Sequence, residues 1–167
     1  MVDNDGRSLV ILPNANEMTQ IVAIAKALSE SGYWPDAKSQ SQAITRILAG
    51  QEMGVGPFAS MTGIYIINGR VSLYANLMAS IVKRSGRYDY RVRKLDQTGA
   101  DLEFLTRSSS GWESLGHSTF GPEEARIAGL AGNANYTKYP RNMYFARALS
   151  NGARWYCADA FAGNTPY

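Results

Sequence analysis

Four basic residues in the C-terminal third carry the clearest chemical signal in this sequence. They are Lys138, Arg141, Arg147 and Arg154. No aspartate or glutamate occurs between Glu124 and Asp159 to balance them. A surface helix ordinarily mixes both signs of charge, because opposite charges four residues apart stabilise it. The one-sided charge therefore indicates an anionic partner that is long enough to contact several of these residues.

A helical projection at 100° per residue, started at Met143, separates this segment into two faces. The basic face holds Arg147, Ser150, Asn151 and Arg154. The apolar face holds Phe145, Ala146, Ala148, Leu149, Gly152, Ala153, Trp155 and Tyr156. Tyr144 lies at the edge of the basic face and Tyr139 close to it, so both are candidates for stacking on bases. We predict a long helix beginning at Pro140, where the missing N–H of proline is tolerated.

The residue types that enzymes use for catalysis are present but not combined. His117 and Cys157 are the single histidine and cysteine, which excludes internal disulfides and cysteine-based zinc sites. Glu123 and Glu124 fit the first turn of a helix, where the helix dipole favours acids. The glycines of residues 54–63 lack the Gly-Lys-Ser/Thr of a phosphate loop. We expect no catalytic site, no metal and no cofactor.

A second basic segment precedes the C-terminal one. The 167 residues carry a net charge of only +3, yet residues 68–94 hold seven basic residues against one aspartate. Lys83 and Arg84 fit the last turn of a helix, where cations are favoured. Arg91 and Arg93 lie on one side of an alternating segment, so they are either solvated or part of an anion-binding surface. This uneven distribution is typical of a localised electrostatic interface.

The remaining pattern predicts an α+β fold, with a curved antiparallel sheet packed on helices and a long basic C-terminal helix. Helices are expected from Asn16, from about Ser39 and over residues 76–85. Asn68-Gly69 predicts a β-hairpin with a type I′ turn. A meander is expected over residues 87–120. We assign residues 1–15 to an N-terminal arm and 16–167 to a single core domain, which 45% hydrophobic residues can support.

The sequence also allows predictions of the cellular location and of the C-terminal end. No apolar run approaches the ~20 residues that a membrane span needs. The N-terminus carries acids where a signal peptide would be basic. We therefore expect a soluble cytoplasmic protein. Residues 163–167 end without a stop signal, so a further C-terminal tail is expected beyond them.

The chain resembles phage single-strand annealing proteins, the RecT and lambda Redβ family. The segment Tyr136–Met143 (YTKYPRNM) is similar to the family's Trp-x-x-His-Pro-Lys-Arg-Met entrance to its basic helix. Upstream, residues 63–67 (GIYII), 71–73 (VSL) and 78–86 (MASIVKRSG) match the family's two strands and its ELARRSG helix in the same order. The sequence differs where Tyr139 replaces the histidine and Asn142 a basic residue.

This resemblance implies a non-enzymatic protein that coats single-stranded DNA and promotes its pairing with a complement, without ATP, in phage recombination and repair. It implies a homo-oligomer, either a ring or a helical filament, that holds the annealed duplex intermediate. A cognate phage exonuclease and a host single-strand binding protein are the implied partners, in the bacterial cytoplasm and away from membranes. By position, Arg141, Arg147 and Arg154 would contact phosphates.

We expect the DNA to lie in a groove with two basic walls. Residues of the first wall are Lys138, Tyr139, Arg141, Tyr144, Arg147, Asn151 and Arg154, and residues of the second are Arg70, Arg87, Arg91 and Arg93. Two alternatives stay open at this point. One is a nucleic-acid-binding module that does not anneal, and the other is a scaffold protein whose basic helix docks an acidic partner.

Overall fold

The computed structural model describes residues 13–161, and the chain divides into two compact units, 1–71 and 72–167. Most of the predicted N-terminal arm, and the expected C-terminal tail, lie outside the described residues. Helices and antiparallel strands occur in separate groups along the chain, which confirms the predicted α+β class. Among the helices of residues 13–161, none has the length and apolar character needed to cross a membrane.

The first unit contains three helices. They are α1 (Ala15–Glu30), α2 (Gln40–Glu52) and α3 (Pro57–Gly63). Asn14, and not the predicted Asn16, caps α1, because Glu17 stands three residues later and completes a reciprocal capping box. Ser39 caps α2 in the same way. Apolar side chains between the helices form the core of this unit, namely Ile21, Ala25, Ala37, Ala43, Ile47 and Met61.

Gly50 allows α2 and α3 to approach closely. A Cβ atom at this position would lie 1.8 Å from Ser60 Oγ, so any larger residue would force the two helices apart. This contact explains why α2 keeps a glycine in its last turn, although glycine disfavours a helix interior.

Arg46 is a buried cation in the first unit. Its Nη2 atom donates to Asp36 Oδ2 at 2.6 Å, and its Nη1 atom donates to the Met61 backbone oxygen at 3.2 Å. The Asp36 side chain remains about half exposed. The hydrogen bond from Arg46 holds the pKa of the Asp36 carboxyl below its usual value. Arg46 thus connects α2 to the segment before it and to the end of α3.

We expect Asp36→Asn to reduce the acid sensitivity of the fold. A carboxyl with a lowered pKa in the folded state contributes stability above its unfolded pKa of about 3.9, and loses that contribution as the pH falls through the folded value. The difference in unfolding free energy between wild type and D36N should therefore shrink from about pH 7 to about pH 3, as measured by urea denaturation. Glu30→Gln, which neutralises an exposed carboxylate of α1, is the control. An equal difference at both pH values would contradict this role of Asp36.

A β-hairpin follows at the boundary of the two units. Strands β1 (Ile64–Ile67) and β2 (Arg70–Leu73) flank Asn68 and Gly69, whose φ angles are 51° and 74°. Two consecutive positive φ angles define a type I′ turn. The predicted hairpin is confirmed.

The second unit packs helices on a three-stranded antiparallel sheet. Its elements are α4 (Ala75–Arg84), β3 (Tyr88–Asp96), β4 (Gly99–Ser108), β5 (Gly111–Phe120), α5 (Pro122–Ile127), α6 (Ala134–Lys138), α7 (Pro140–Tyr156) and a 3₁₀ helix (Ala158–Phe161). The strand order is β3-β4-β5, as the predicted meander requires. The short helix α6 directly precedes α7.

Helix α7 runs antiparallel to β5 across one face of this sheet. Tyr144 stacks near Phe120, with ring centroids 6.4 Å apart. Further along, Ser118 Oγ donates to the Ala148 backbone oxygen at 2.7 Å. At the next close approach, a Cβ on Gly152 would lie only 2.0 Å from the Phe104 ring. These contacts fix which side of α7 is buried against the sheet.

Candidate nucleic-acid interface

The outward side of α7 matches the basic face predicted from its helical period. Arg147 is exposed, and Ser150, Asn151 and Arg154 are partly exposed. The residues between them in sequence, Ala148, Leu149, Gly152 and Ala153, are fully or almost fully buried. The predicted division of α7 into a basic and an apolar face is confirmed for these positions. We call Arg147, Asn151 and Arg154 the basic strip.

Arg147 is positioned by a neighbouring helix. Its Nε atom donates to Tyr136 Oη at 3.2 Å, and Tyr136 is a buried residue of α6. The Tyr136 ring in turn packs near Tyr144, with centroids 6.2 Å apart. A hydroxyl partner leaves the positive charge of Arg147 uncompensated, so the guanidinium group can still attract an anion.

Tyr144 is buried, so its predicted role in base stacking is wrong. Only 6% of the residue is exposed, because its ring lies between Tyr136 and Phe120. The helical projection had placed Tyr144 at the edge of the basic face. The packing of α6 and β5 against this edge converts it into core, which a period of 3.6 residues cannot reveal.

The N-terminal end of α7 adds exposed groups. Lys138 and Arg141 are both exposed, and Tyr139, the N-cap residue, is 59% exposed. Arg141 precedes Arg147 by six residues, which places it about 120° around the helix from Arg147. Lys138 and Arg141 have no carboxylate partner among the described residues. Lys138, the last residue of α6, and Arg141 extend the positive charge beyond the N-terminal end of the basic strip, although Arg141 points in another direction.

Arg91 and Arg93 lie on the other side of the sheet from α7. Arg91 pairs in register with Glu103, whereas the neighbouring pair Tyr90–Phe104 faces α7. The side with Arg91, Glu103 and His117 is called the far face. Because side chains alternate along strands, Arg91 and α7 cannot form two walls of one groove.

Two further arginines of the predicted second wall are paired with carboxylates. Arg93 Nε donates to Glu103 Oε2 at 2.8 Å on the far face. Arg87 Nη1 donates to Asp159 Oδ2 at 2.5 Å beside the 3₁₀ helix. Arg70 is exposed on β2, in the first unit. The predicted second wall, as a wall facing α7, is therefore wrong for Arg91 and Arg93, whereas Arg87 lies near the C-terminal end of α7 and its role stays a prediction.

Other chemically reactive groups do not assemble with the basic strip. His117 Nδ1 lies 2.8 Å from Asp101 Oδ1 on the far face. Cys157 is fully buried, and burial raises the pKa of its thiol to about 12, so it is protonated at neutral pH. Within residues 13–161 there is no cluster of three or more histidine, cysteine or acidic side chains able to hold a metal.

Trp155 is the residue that the sequence pattern misplaced on the apolar face. It is 62% exposed, although the projection counts it among the packed residues. Its neighbour Tyr156 takes the packed position instead, with its ring 5.7 Å from Phe104. Its position in the last turn of α7 could have indicated this exposure, because the end of a helix can extend past the element that covers the rest of it.

Comparisons with known proteins identify no related protein. No family model matches this chain, and no curated protein and no solved structure matches it significantly. The relation to the RecT and Redβ family stays a prediction that depends on the order of similar segments.

Proposed function

We propose that this protein binds single-stranded DNA through α7 and promotes its annealing to a complementary strand. The observation that carries the proposal is the basic strip, whose residues are exposed or partly exposed on a long helix with no acidic residue in its sequence. The buried side of the same helix is held by the sheet, so the cations are presented on a rigid element. A rigid array of cations suits a regularly spaced polyanion such as a DNA backbone.

The dimensions of α7 agree with a short segment of DNA. From Tyr139 to Trp155 the helix axis extends about 24 Å, at about 1.5 Å per residue. This length corresponds to about seven nucleotides at the ~3.4 Å spacing of one strand in B-form DNA. Arg147 and Arg154 lie about 10 Å apart along the axis, so they would contact phosphates about three nucleotides apart.

Backbone binding accounts for annealing without an energy source. Arginines that neutralise phosphates release counterions, which produces sequence-independent, salt-sensitive affinity. Because the protein binds the DNA backbone from one side, the base edges remain free to pair with a second strand. Base stacking and pairing in the new duplex then supply the free energy. The reaction needs no catalytic residue and no nucleotide.

The proposal differs from the two-walled groove expected from the sequence. The basic strip is one-sided, because Arg91 and Arg93 lie on the far face. A homo-oligomer, ring or filament, would align strips from successive copies along one strand. Cooperation with a phage exonuclease and a host single-strand binding protein, and a location in the bacterial cytoplasm, complete the proposal by resemblance to RecT and Redβ.

A strand-annealing assay tests this function directly. Two complementary oligonucleotides, one labelled with a fluorophore and the other with a quencher, should pair faster with the protein than without it, in the absence of ATP. Light scattering on the same samples should show growth into large particles when the single strand is added. Tight binding without faster pairing would instead support a binding module that does not anneal.

The scaffold alternative gives a different result in a salt titration. Binding to DNA by counterion release weakens linearly in log affinity as log salt rises. A protein that docks an acidic protein partner would show no measurable binding to an unlabelled thymidine oligonucleotide even at low salt. That outcome would remove both DNA-binding hypotheses.

A further inference from the structure

Trp155 is exposed to an unusual degree for a tryptophan on a packed helix. Tryptophan is mostly buried on average in folded proteins, whereas 62% of Trp155 is exposed. The Trp155 ring contacts the Tyr156 ring, with centroids 6.3 Å apart and ring planes nearly perpendicular at 86°. Such an edge-to-face contact orients the indole but leaves most of its surface open.

The C-terminal end of α7, which carries Trp155, is anchored to the sheet. Tyr156 Oη donates to the His117 backbone oxygen at 3.2 Å, and the Tyr156 ring packs near Phe104. The next residue, Cys157, is fully buried. The indole is therefore carried by an anchored end of α7, so little conformational entropy would be lost when a ligand covers it.

Trp155 continues the line of polar groups along α7. Arg147, Asn151 and Trp155 are spaced four residues apart, so they form one ridge that turns by about 40° per step. Arg154, the residue before Trp155, adds a second cation beside the ridge. Proteins that bind single strands combine positively charged residues with aromatic rings on which bases stack.

We propose that Trp155 stacks on an unpaired base of the strand whose phosphates contact Arg147, and that it makes α7 selective for single-stranded over double-stranded DNA. This inference rests on the proposed function. Phosphate contacts are available in both forms of DNA, but the face of a base is accessible only in an unpaired strand. Stacking is sequence-tolerant because every base has a π-face. The indole thus takes the role that the buried Tyr144 cannot perform.

Trp155→Ala and Trp155→Phe test the inference, with Trp112→Ala as the matched control. Trp112 is also exposed, at 42%, but lies on β5 opposite Arg107, on the far face. Fluorescence anisotropy should report the affinity for a thymidine oligonucleotide and for a duplex of equal length, at several salt concentrations. We expect W155A to bind the single strand about 5- to 150-fold more weakly, the range for removing one stacking aromatic. Duplex affinity and the salt slope should stay unchanged, W155F should retain most of the affinity, and W112A should behave as wild type.

Three outcomes would overturn the inference while leaving the proposed function intact. They are unchanged single-strand affinity in W155A, an equal loss for single strand and duplex, and a W112A defect equal to that of W155A. In each case Arg147→Ala would still weaken binding to both forms of DNA. If neither Arg147→Ala nor W155A affects binding, the proposed function itself fails. Circular dichroism and thermal melting of W155F, which keeps an aromatic ring, separate loss of stacking from loss of the fold.

Discussion

Replacing Arg147 and Arg154 together with alanine is expected to weaken binding to single-stranded DNA and to flatten its salt dependence. Each phosphate contact contributes ~0.7 to the slope of log affinity against log salt for single strands, so the double variant should lose about 1.4 from that slope. Affinity at low salt should fall on the order of ten-fold for each arginine, as for other charge-assisted hydrogen bonds. Both side chains lie on the outward side of α7.

The fold of this double variant should survive. Arg147 donates a hydrogen bond to Tyr136 Oη, and losing such a bond costs about 1 kcal/mol. Arg154 is partly exposed as well, so we expect the melting temperature of the double variant to fall by only a few degrees. Unfolding of the variant would show that the two arginines are structural, and it would contradict the assignment of the basic strip.

Arg91→Ala combined with Arg107→Ala is the matched control. Both residues are exposed and both belong to the far face of the sheet. This pair removes the same charge and the same side-chain type, but from the side of the sheet opposite α7. An effect on DNA binding and salt slope as large as that of the α7 variant would indicate non-specific attraction by net charge, and it would remove the basic strip as the site.

Replacing Leu149 with aspartate is expected to have the largest effect on stability. Leu149 is fully buried on the packed side of α7. A carboxylate at this position must either lose its hydration without a cation or hydrogen-bond donor to compensate, or take up a proton. The apolar contacts of the leucine side chain are lost as well. We expect a loss of about 4 kcal/mol or more, a large part of the 5–15 kcal/mol that stabilises a typical domain.

Urea denaturation followed by circular dichroism measures this loss. Leu149→Met keeps the volume and the apolar character, so it should cost less than about 1.5 kcal/mol and serves as the control. A stable, folded L149D protein would mean that this side of α7 is accessible, and the burial of α7 against the sheet would be contradicted.

The local elements of this fold could be predicted because local chemistry determines them. Asn68-Gly69 adopts positive φ angles at little cost, so the β-hairpin forms wherever these two residues separate apolar strands. The alternation predicted over residues 87–95 corresponds to β3 (Tyr88–Asp96), with a bulge near Arg93 that the pattern does not reveal. The N-cap of α1 was misplaced by two residues, because two asparagines compete and only Asn14 stands three residues before a glutamate.

The candidate site shows which features of α7 a residue pattern can predict and which it cannot. The helical period alone separates Arg147 and Arg154 from Leu149 and Gly152, because buried and exposed positions recur at fixed angles around α7. Whether a residue at the edge of that face is buried or exposed depends on the neighbouring elements that pack against it. Tyr144 is covered by Tyr136 and Phe120, while Trp155 stays exposed at the end of the helix.

The sequence by itself determined the α+β class, the hairpin, the meander and the two faces of α7, since each depends on residues close together in the chain. Only the tertiary structure decided that Arg91 and Arg93 lie across the sheet from α7, and that Arg87 and Arg93 are paired with carboxylates. Periodicity defines the sides of an element, but it carries no information about which side the next element covers. That choice is made by packing between residues far apart in sequence, such as Gly152 and Phe104.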